Sequence, residues 1–390
     1  MKHLYISNGH LFLKDGEGDA VEIDSDFGAK VVERGEKLRE KNQWKNQTRP
    51  EQGMFALNIW NVPEDGNPRE QIRIQSAAMG LKDDEVYYIL TTEAVGGLFR
   101  YDLREQSERR IFHKENFLAS DLDHHPREAK LLCAIAQDAV KNIALLSCER
   151  FDCDFLTEGD SADESPSWVP GEKNCFVYQS AGIGRNQAGY HVGLGPSSIE
   201  KVDLDGKTQK TILSDERYDY LSPKVDDAGN LYCIRRDYEV GGRSASPLEI
   251  LKDFVLFPFR LLKAAYGFLE MMTQIFAKES LQTSASGMNK EVDMRHAWIK
   301  GRLIQLKAYD AKREGESIFP SSWKLIKVSA QSGVGEVLFS GVGDFDISPN
   351  GEVLYTTGRS ILSARDEGSQ RLWKGREIIE EVRVASPGGE

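Results

Sequence analysis

The feature that most constrains this chain is a turn-and-strand repeat that also links its two ends. Each copy has an apolar strand, a turn rich in Ser, Pro, Asp and Gly, and a second apolar strand. Residues 384–390 supply the first part of a copy and residues 1–9 supply the second. Joined tail to head, they match the internal segment 347–358. This pattern predicts a ring of β-sheets in which both termini share one sheet.

The repeat is clearest in the middle and late parts of the chain. Three segments carry it most strongly: Glu164–Lys173, Tyr220–Asn230 and Asp344–Gly351. Weaker copies begin near Ile74 and Leu118. Pro presets φ early in such a turn, and Gly supplies the positive φ needed late in it. The first copies are about 45 residues apart, which is the length of one four-stranded propeller blade.

Counting the copies predicts an all-β fold, a six-bladed β-propeller with a largely helical insertion. The expected blades are 72–113, 117–158, 162–214, 217–340, 342–375 and a sixth that combines 378–385 with 3–7, 10–14 and 20–23. A single propeller domain would then span 1–390. Mixing strands from both ends removes an open sheet edge, which stabilises a ring against pairing with other chains.

The turns at 165–171 (Ser-Pro-Ser-Trp-Val-Pro-Gly) and 346–351 (Asp-Ile-Ser-Pro-Asn-Gly) resemble those of the TolB-like, WD-repeat-like β-propeller family. The resemblance covers most of the chain outside two insertions. It implies a β-propeller fold and says little about function. Relatives include periplasmic accessory proteins, propeller domains fused to serine peptidases, and sugar-acid lyases. This chain departs from them, because it has no Gly-x-Ser-x-Gly elbow and no counterpart of the lyases' His-rich metal site.

Charge and cysteine usage narrow the function classes. The formal net charge of −12 argues against a general nucleic-acid binder, which needs a basic surface to displace counterions. An odd number of cysteines, with no Cys-x-x-Cys pair, favours buried thiols in a reducing compartment: Cys133, Cys148, Cys153, Cys175 and Cys233. Because strand residues follow Met1-Lys2 directly, no signal peptide is expected. The prediction is a cytoplasmic protein, without a cofactor.

Three segments are too long for plain connections. We name the strands of a blade A to D from the axis outward. Residues 24–70 form a D–A connection with a predicted charged helix over 29–45, and residues 181–196 expand a B–C loop. Residues 237–321 expand the next B–C loop. B–C and D–A connections share one rim of a propeller, so all three should project from one face. Loops this long in a compact domain are usually functional or disordered.

The largest insertion is the most apolar region, and 247–278 shows the spacing of amphipathic helices. Its candidate partner or membrane surface comprises Phe254, Phe257, Phe259, Tyr266, Phe268, Met272 and Phe276. Charged residues interrupt every apolar run before the ~20 residues that a membrane span needs. Three interpretations remain open: a helical cap on the propeller, a surface for a protein partner or self-association, and peripheral membrane contact.

Polar residues of the two B–C loops are the candidate binding residues: Arg185, Asn186, Tyr190, His191, Arg235, Arg236 and Asp237. The first four lie in a glycine-rich loop that could bind a ligand or partner. A strand is expected after that loop, whereas a phosphate cradle needs a helix there. The last three end a B strand where the largest insertion begins. They could anchor the insertion through acidic residues, or bind an anionic ligand or a partner's carboxylate.

No constellation supports catalysis or metal binding. Asp121, Asp123, His124 and His125 cluster at an A–B turn, but a metal needs three or four converging ligands, and no site is predicted. No Ser, His and Asp set forms a recognisable triad. The predicted function is a non-catalytic protein-binding or assembly scaffold that recognises its partner on the rim carrying the insertions. The alternatives are a hydrolase or lyase with its site at the axial mouth, and a propeller peripherally associated with a membrane.

Overall fold

The fold is known from a computed structural model of the chain. It describes residues 2–16, 18–47, 72–92, 95–137, 140–239, 295–300, 302–306, 317–331, 333–348, 351–365, 368–375 and 377–385. For 38–47, 295–299 and 302–306 only the backbone is described. The candidate surface residues Phe254, Phe257, Phe259, Tyr266, Phe268, Met272 and Phe276 therefore lie outside the described residues.

The described residues are almost entirely β-strand. In chain order the strands are β1 (Lys2–Ser7), β2 (His10–Asp15), β3 (Val21–Glu22), β4 (Arg73–Met79), β5 (Glu85–Thr91), β6 (Val95–Asp102), β7 (Ser107–Glu115), β8 (Leu118–His124), β9 (Lys130–Gln137), β10 (Val140–Ser147), β11 (Cys153–Phe155), β12 (Ser161–Trp168), β13 (Cys175–Arg185), β14 (His191–Leu194), β15 (Ser198–Asp203), β16 (Thr208–Leu213), β17 (Tyr218–Val225), β18 (Leu231–Asp237), β19 (Arg295–Ile299), β20 (Arg302–Leu306), β21 (Lys324–Val328), β22 (Gly335–Ser340), β23 (Asp344–Ile347), β24 (Val353–Thr356), β25 (Ser360–Arg365), β26 (Gly368–Lys374) and β27 (Ile379–Val384).

Most strands pair antiparallel with their neighbours in sequence. Four sheets have four strands each, in the orders β27–β1–β2–β3, β4–β5–β6–β7, β17–β18–β21–β22 and β23–β24–β25–β26. A larger sheet contains β8–β9–β10–β11 and β12–β13–β15–β16, with β14 paired to β13. One parallel pairing, Lys141 with Ala162, joins its two halves. Strands β19 and β20 form a separate hairpin.

The two ends of the chain meet in one sheet, as the repeat predicts. Strand β27 pairs with β1 from His3↔Val384 to Ser7↔Ile379. We call β27, β4, β8, β12, β17 and β23 the inner strands. Each contacts the next in that order, and β23 contacts β27.

Burial is high in the second strand of each sheet and low in the outermost strand. Every residue of β5 is buried, which fits its apolar run Val86–Leu90, and a strand covered on both faces has such continuous apolar sequence. In β16, at the other extreme, all residues but the last are exposed, and its polar sequence protects a sheet edge. Apolar clusters fill the space between neighbouring sheets. One joins β17–β22 to β23–β26 through Tyr232, Trp323 and Phe345.

Helix α1 (Asp26–Gln47) follows β3, over the segment for which a charged helix is predicted. Ser25 caps it, because its Oγ accepts the Gly28 N–H at 3.1 Å, a hydrogen bond that satisfies a free donor of the first turn. Phe27 packs against Phe99 with ring centroids 5.3 Å apart. Glu108 accepts the Phe27 N–H at 3.1 Å. These contacts fix the start of α1 on the β4–β7 sheet.

The described part of the largest insertion has strands rather than helices. Within 237–321, the hairpin β19–β20 turns at Lys300. The apolar helices predicted for 247–278 lie outside the described residues. In the described part of the chain, no helix is both long and apolar enough to cross a membrane.

Candidate functional site

A small cavity lies where the inner strands converge. Its lining residues come from β8, β12, β17, β23 and β27: Asp121, Ser165, Pro166, Ser222, Pro223, Lys224, Asp344, Phe345 and Arg383. The cavity volume is about 20 Å³, enough for about one water molecule. Pockets that bind organic ligands are on the order of 300–1,000 Å³. As described, this axial cavity is too small for an organic substrate.

Three lining residues share an unusual backbone conformation. Asp121, Ser165 and Ser222 have φ of 55°, 52° and 52°, in the left-handed region that non-glycine residues seldom occupy. Each lies where the register of its inner strand shifts against the neighbouring strand. Such bulges redirect side chains and recur next to functional sites. The repeated bulge therefore brings equivalent side chains of three consecutive inner strands to the cavity.

Arg383 lies between two carboxylates on the axis. Its Nη1 is 3.2 Å from Asp344 Oδ2, and its Nη2 is 3.1 Å from Glu381 Oε1. Burial would lower the pKa of Arg383, but Glu381 and Asp344 outweigh it and raise that pKa. Burial dominates at Glu381, and raises its pKa to about 7 although Arg383 opposes the shift. Glu381 is therefore the carboxyl of this network that titrates near neutral pH.

A second buried cation, Lys224, bridges β8 and β23. Its Nζ is 3.1 Å from Asp123 Oδ1 and 3.6 Å from Asp346 Oδ1. Burial alone would lower the pKa of Lys224, but these two carboxylates outweigh it and raise the pKa. Lys224 therefore stays charged, and it neutralises acids that arrive from opposite sides of the cavity.

The third cation comes from the largest insertion. Lys300, at the tip of the β19–β20 hairpin, places its Nζ 2.9 Å from Asp344 Oδ1 and also donates to Ser222 Oγ. Arg236 Nη1 donates to the Lys300 carbonyl at 2.9 Å. Burial would raise the pKa of Asp344, but Lys300 and Arg383 outweigh it and hold that pKa below its usual range. The hairpin thus reaches residues that line the axial cavity.

The axial acids also join neighbouring inner strands. Their carboxylates accept backbone N–H groups from the next strand: Asp123 from Trp168 at 2.7 Å, Asp344 from Val382 at 3.0 Å, Asp346 from Val384 at 2.8 Å and Glu381 from Ala77 at 3.2 Å. Bonds from backbone N–H to a charged acceptor are among the stronger ones in proteins. These contacts give the acids a structural role.

The predicted His and Asp cluster does not converge. Asp121 and Asp123 face the axis, whereas His124 stacks on Tyr87 with centroids 5.5 Å apart. His125 Nδ1 accepts the N–H groups of the turn at 127–128, at 3.1 and 2.9 Å. Within the described ranges, no three His, Cys, Asp or Glu side chains are placed to hold a metal ion.

The glycine-rich loop is a hairpin between β13 and β14. Arg185 makes a bidentate ion pair with Asp160, at 2.6 and 2.5 Å. Asn186 closes the turn, since its Oδ1 accepts the N–H groups of Ala188 and Tyr190 at 3.0 and 2.9 Å. His191 begins β14 and is exposed. Arg185 and Asn186 therefore shape the hairpin, and Tyr190 and His191 are left on its surface.

Strand β14 carries an exposed apolar stripe. Tyr190, in the turn before β14, and Val192 and Leu194 on β14 are 72%, 58% and 42% exposed. The register against β13 shifts at Val192, so the stripe is a run of exposed apolar side chains and not one face of a regular strand. The Tyr238 hydroxyl donates to the Leu194 carbonyl at 2.7 Å. Because Tyr238 follows β18, this bond links the stripe to the start of the largest insertion. Two of the expanded loops therefore meet on one side of the fold.

Residues Arg235–Asp237 make contacts that hold the end of β18 to neighbouring residues of the propeller. Arg236 is buried, with Nε 2.9 Å from Asp219 Oδ2 and Cζ 5.0 Å from the Trp323 ring centroid. Arg235 stacks over Tyr218 at 4.8 Å, and Asp237 pairs with Tyr218 along the backbone. Among the contacts described, Arg236 reaches the β19–β20 hairpin through the Lys300 carbonyl.

Sequence reasoning missed the axial charges: Lys224, Lys300, Asp344, Asp346, Glu381 and Arg383. A signal was available in two inner strands. Asp344 and Asp346 occupy alternate positions in β23, and Glu381 and Arg383 do so in β27. That period places each pair on one face, and a charged face on an inner strand has to meet other charges. Lys300 had no comparable signal, because its position depends on the path of the insertion.

Solved structures show which fold this arrangement has. TolB from Acinetobacter baumannii superposes with a TM-score of 0.52 at 10% identity, over 99% of this chain and 66% of that chain. A nidogen/laminin complex gives 0.52 at 9% identity, over 98% of this chain and 97% of the other. The chain thus spans 66% of the length of that TolB. The fold is a TolB-like β-propeller.

Sequence comparison adds nothing to this likeness. No protein-family model matches the chain, and no curated protein matches it either. The structural similarity establishes the fold, and the function has to be argued from the residues themselves.

Proposed function

We propose that this chain is a single six-bladed propeller domain whose ring is closed by the pairing of its two ends. Each of the six predicted ranges contributes four of the strands, with β14 and the β19–β20 hairpin as additions. The contacts of the inner strands in the order β27, β4, β8, β12, β17, β23 and back to β27 support the ring. Residues 24–70 and 237–321 are then insertions on the same rim.

We further propose that the propeller is a non-catalytic scaffold that recognises a protein partner on this rim. The observation that carries the proposal is the exposed apolar stripe of Tyr190, Val192 and Leu194, on β14 and in the turn before it. Apolar and aromatic groups that form a contiguous exposed surface mark interaction sites more often than isolated ones do. The hydrogen bond from Tyr238 to Leu194 brings the start of the largest insertion to the same surface.

The geometry of β14 suggests how a partner would bind. Within the described residues β14 pairs only with β13, so its second edge offers backbone donors and acceptors. An extended partner segment could add a strand there, with main-chain hydrogen bonds for affinity and the apolar stripe for selectivity. All five cysteines are free thiols, which supports the cytoplasmic location in this proposal.

Site-specific photo-crosslinking in cells tests the proposal. We expect a benzophenone amino acid at Tyr190 to give one defined adduct with another protein. The same probe at Phe155, an exposed aromatic on β11, should not give it. Adding Val192→Ser and Leu194→Ser should abolish the adduct. Identical adducts from both positions, or none from Tyr190, would contradict partner recognition by this surface.

A further inference from the structure

The polar lining of the axial cavity is balanced in formal charge. It consists of two carboxylates, two cations and two hydroxyls: Asp121, Asp344, Lys224, Arg383, Ser165 and Ser222. An anion in the cavity would lie beside the carboxylates, and a cation would lie beside the ammonium and guanidinium groups. The lining therefore favours a neutral molecule that can both donate and accept hydrogen bonds.

One donor of this lining, the Nε of Arg383, is buried and has no hydrogen-bond partner among the described residues. The two Nη atoms of Arg383 are engaged, Nη1 with Asp344 and the Val382 carbonyl, and Nη2 with Glu381. A buried donor without an acceptor costs about 1–3 kcal/mol. Ordered water commonly satisfies such groups in protein interiors.

Strand β17 brings further donors to the cavity. Lys224 Nζ has three N–H groups, and its described contacts with Asp123 and Asp346 occupy two of them. Ser222 Oγ accepts from Lys300, so the hydrogen of its own hydroxyl remains able to donate. A molecule in the cavity thus meets donors from β17 as well as from β27.

Asp121 supplies the acceptor on the β8 side. It lies in the bulge of β8, with a φ of 55°. Its Oδ2 accepts from Ser120 Oγ at 2.8 Å, and its Oδ1 accepts from Ser165 Oγ at 3.3 Å. A carboxylate has about four lone-pair sites. Each oxygen of Asp121 can therefore accept another hydrogen bond.

The size of the cavity limits the ligand to one small molecule. A buried water needs at least about 10–15 Å³ and two to four polar partners. The volume of about 20 Å³ and the donors and acceptors of the lining meet both requirements. Water is also the neutral molecule of this size that donates and accepts at the same time.

We propose that the axial cavity is a binding site for a single water molecule, which accepts from Arg383 Nε–H and donates to the carboxylate of Asp121. The water links β27 to β8, two inner strands that are separated by β4 in the order given above. It satisfies the buried Nε–H and lowers the cost of placing these charges on the axis. This inference goes beyond the proposed partner surface and does not depend on it.

NMR spectroscopy of the unaltered chain measures the contact with water. In isotope-labelled protein, with the Nε–H signals assigned through the side-chain carbons, we expect a rotating-frame Overhauser peak between water and the Arg383 Hε. Arg236 is the matched control, because it is also buried and its Nε donates to Asp219 Oδ2 at 2.9 Å. It should give no such peak. The same result for both arginines would overturn the proposal.

A crystal structure distinguishes water from an ion. We expect a density peak about 2.5–3.2 Å from Arg383 Nε and from a carboxylate oxygen of Asp121. Crystals soaked in sodium bromide or rubidium chloride should show no anomalous signal at that position. An anomalous peak would mean that the cavity takes an ion, and the lack of any density would mean that it takes no ligand. Either outcome contradicts the water site.

Discussion

The Nζ of Lys224 lies 3.1 Å from Asp123 and 3.6 Å from Asp346, two residues more than 200 positions apart in the sequence. The contact joins β8 to β23 through a cation on β17. All three side chains are largely buried, between 13% and 20% exposed. The ion pairs are therefore poorly screened by solvent, and the residues that form them depend on one another.

Replacing Lys224 by Met should strongly destabilise the protein. The substitution keeps the volume of the side chain but leaves two buried carboxylates without their cation, and breaking a buried pair costs about 3–5 kcal/mol. Urea unfolding of Lys224→Met and the unaltered protein measures the difference. Lys82→Met removes a lysine that is 72% exposed and should change the free energy of unfolding by less than about 0.5 kcal/mol. Equal effects would contradict a buried ionic network.

Glu381→Gln should reduce the pH dependence of stability. Burial raises the pKa of Glu381 from 4.5 to about 7, so the native state binds a proton more tightly than the unfolded state. The associated stability is fully present below about pH 4.5 and is lost as the pH rises through 7. Glutamine mimics the protonated acid and removes this loss, although Arg383, Asp344 and Asp121 still face the position.

Thermal unfolding from pH 5 to pH 8 measures the effect. We expect the melting temperature of Glu381→Gln, minus that of the unaltered protein, to be higher at pH 8 than at pH 5. Glu380→Gln is the matched control, because Glu380 is 38% exposed and pairs with Arg73 at the surface. A constant difference between Glu381→Gln and the unaltered protein across this range would contradict the raised pKa.

Arg236→Lys should loosen the β19–β20 hairpin. Lysine retains the charge but cannot donate to Asp219 and to the Lys300 carbonyl in the fixed directions of a guanidinium. We expect faster amide hydrogen exchange in 295–306, measured by mass spectrometry. Arg235→Lys is the neighbouring control, because Arg235 stacks on Tyr218 and has no contact described with the hairpin. Equal exchange in the two variants would show that Arg236 is not an anchor.

The free energy of unfolding should respond very differently to the same change at two valines of this region. Val192→Ser alters an exposed position on β14 and should shift the free energy of unfolding by at most about 0.5 kcal/mol. Val177→Ser introduces a hydroxyl at a fully buried position of β13 and should cost about 2 kcal/mol or more. Urea denaturation compares them. Strong destabilisation by Val192→Ser would mean that the stripe is part of the core.

The sequence predicts the strands well because their signals are local. The Pro and Gly turns and the alternating apolar residues act over a few positions, and the turns at Tyr220–Asn230 and Asp344–Gly351 are followed by β18 and β24 as expected. The pairing of β27 with β1 was also predictable, since the two ends complete one copy of the repeat. The hairpin around Lys300 was not, because the apolar sequence before it directed attention to helices.

What the sequence by itself determined is the all-β repeat and the meeting of the two ends in one sheet. Only the tertiary structure decided which charges share the axis. Lys224, Asp344 and Arg383 come from different inner strands, and Lys300 comes from an insertion. Their pairing depends on how the sheets pack around the axis, and no local spacing encodes that geometry. The low solvent access there then sets their ionisation, as it does for Glu381.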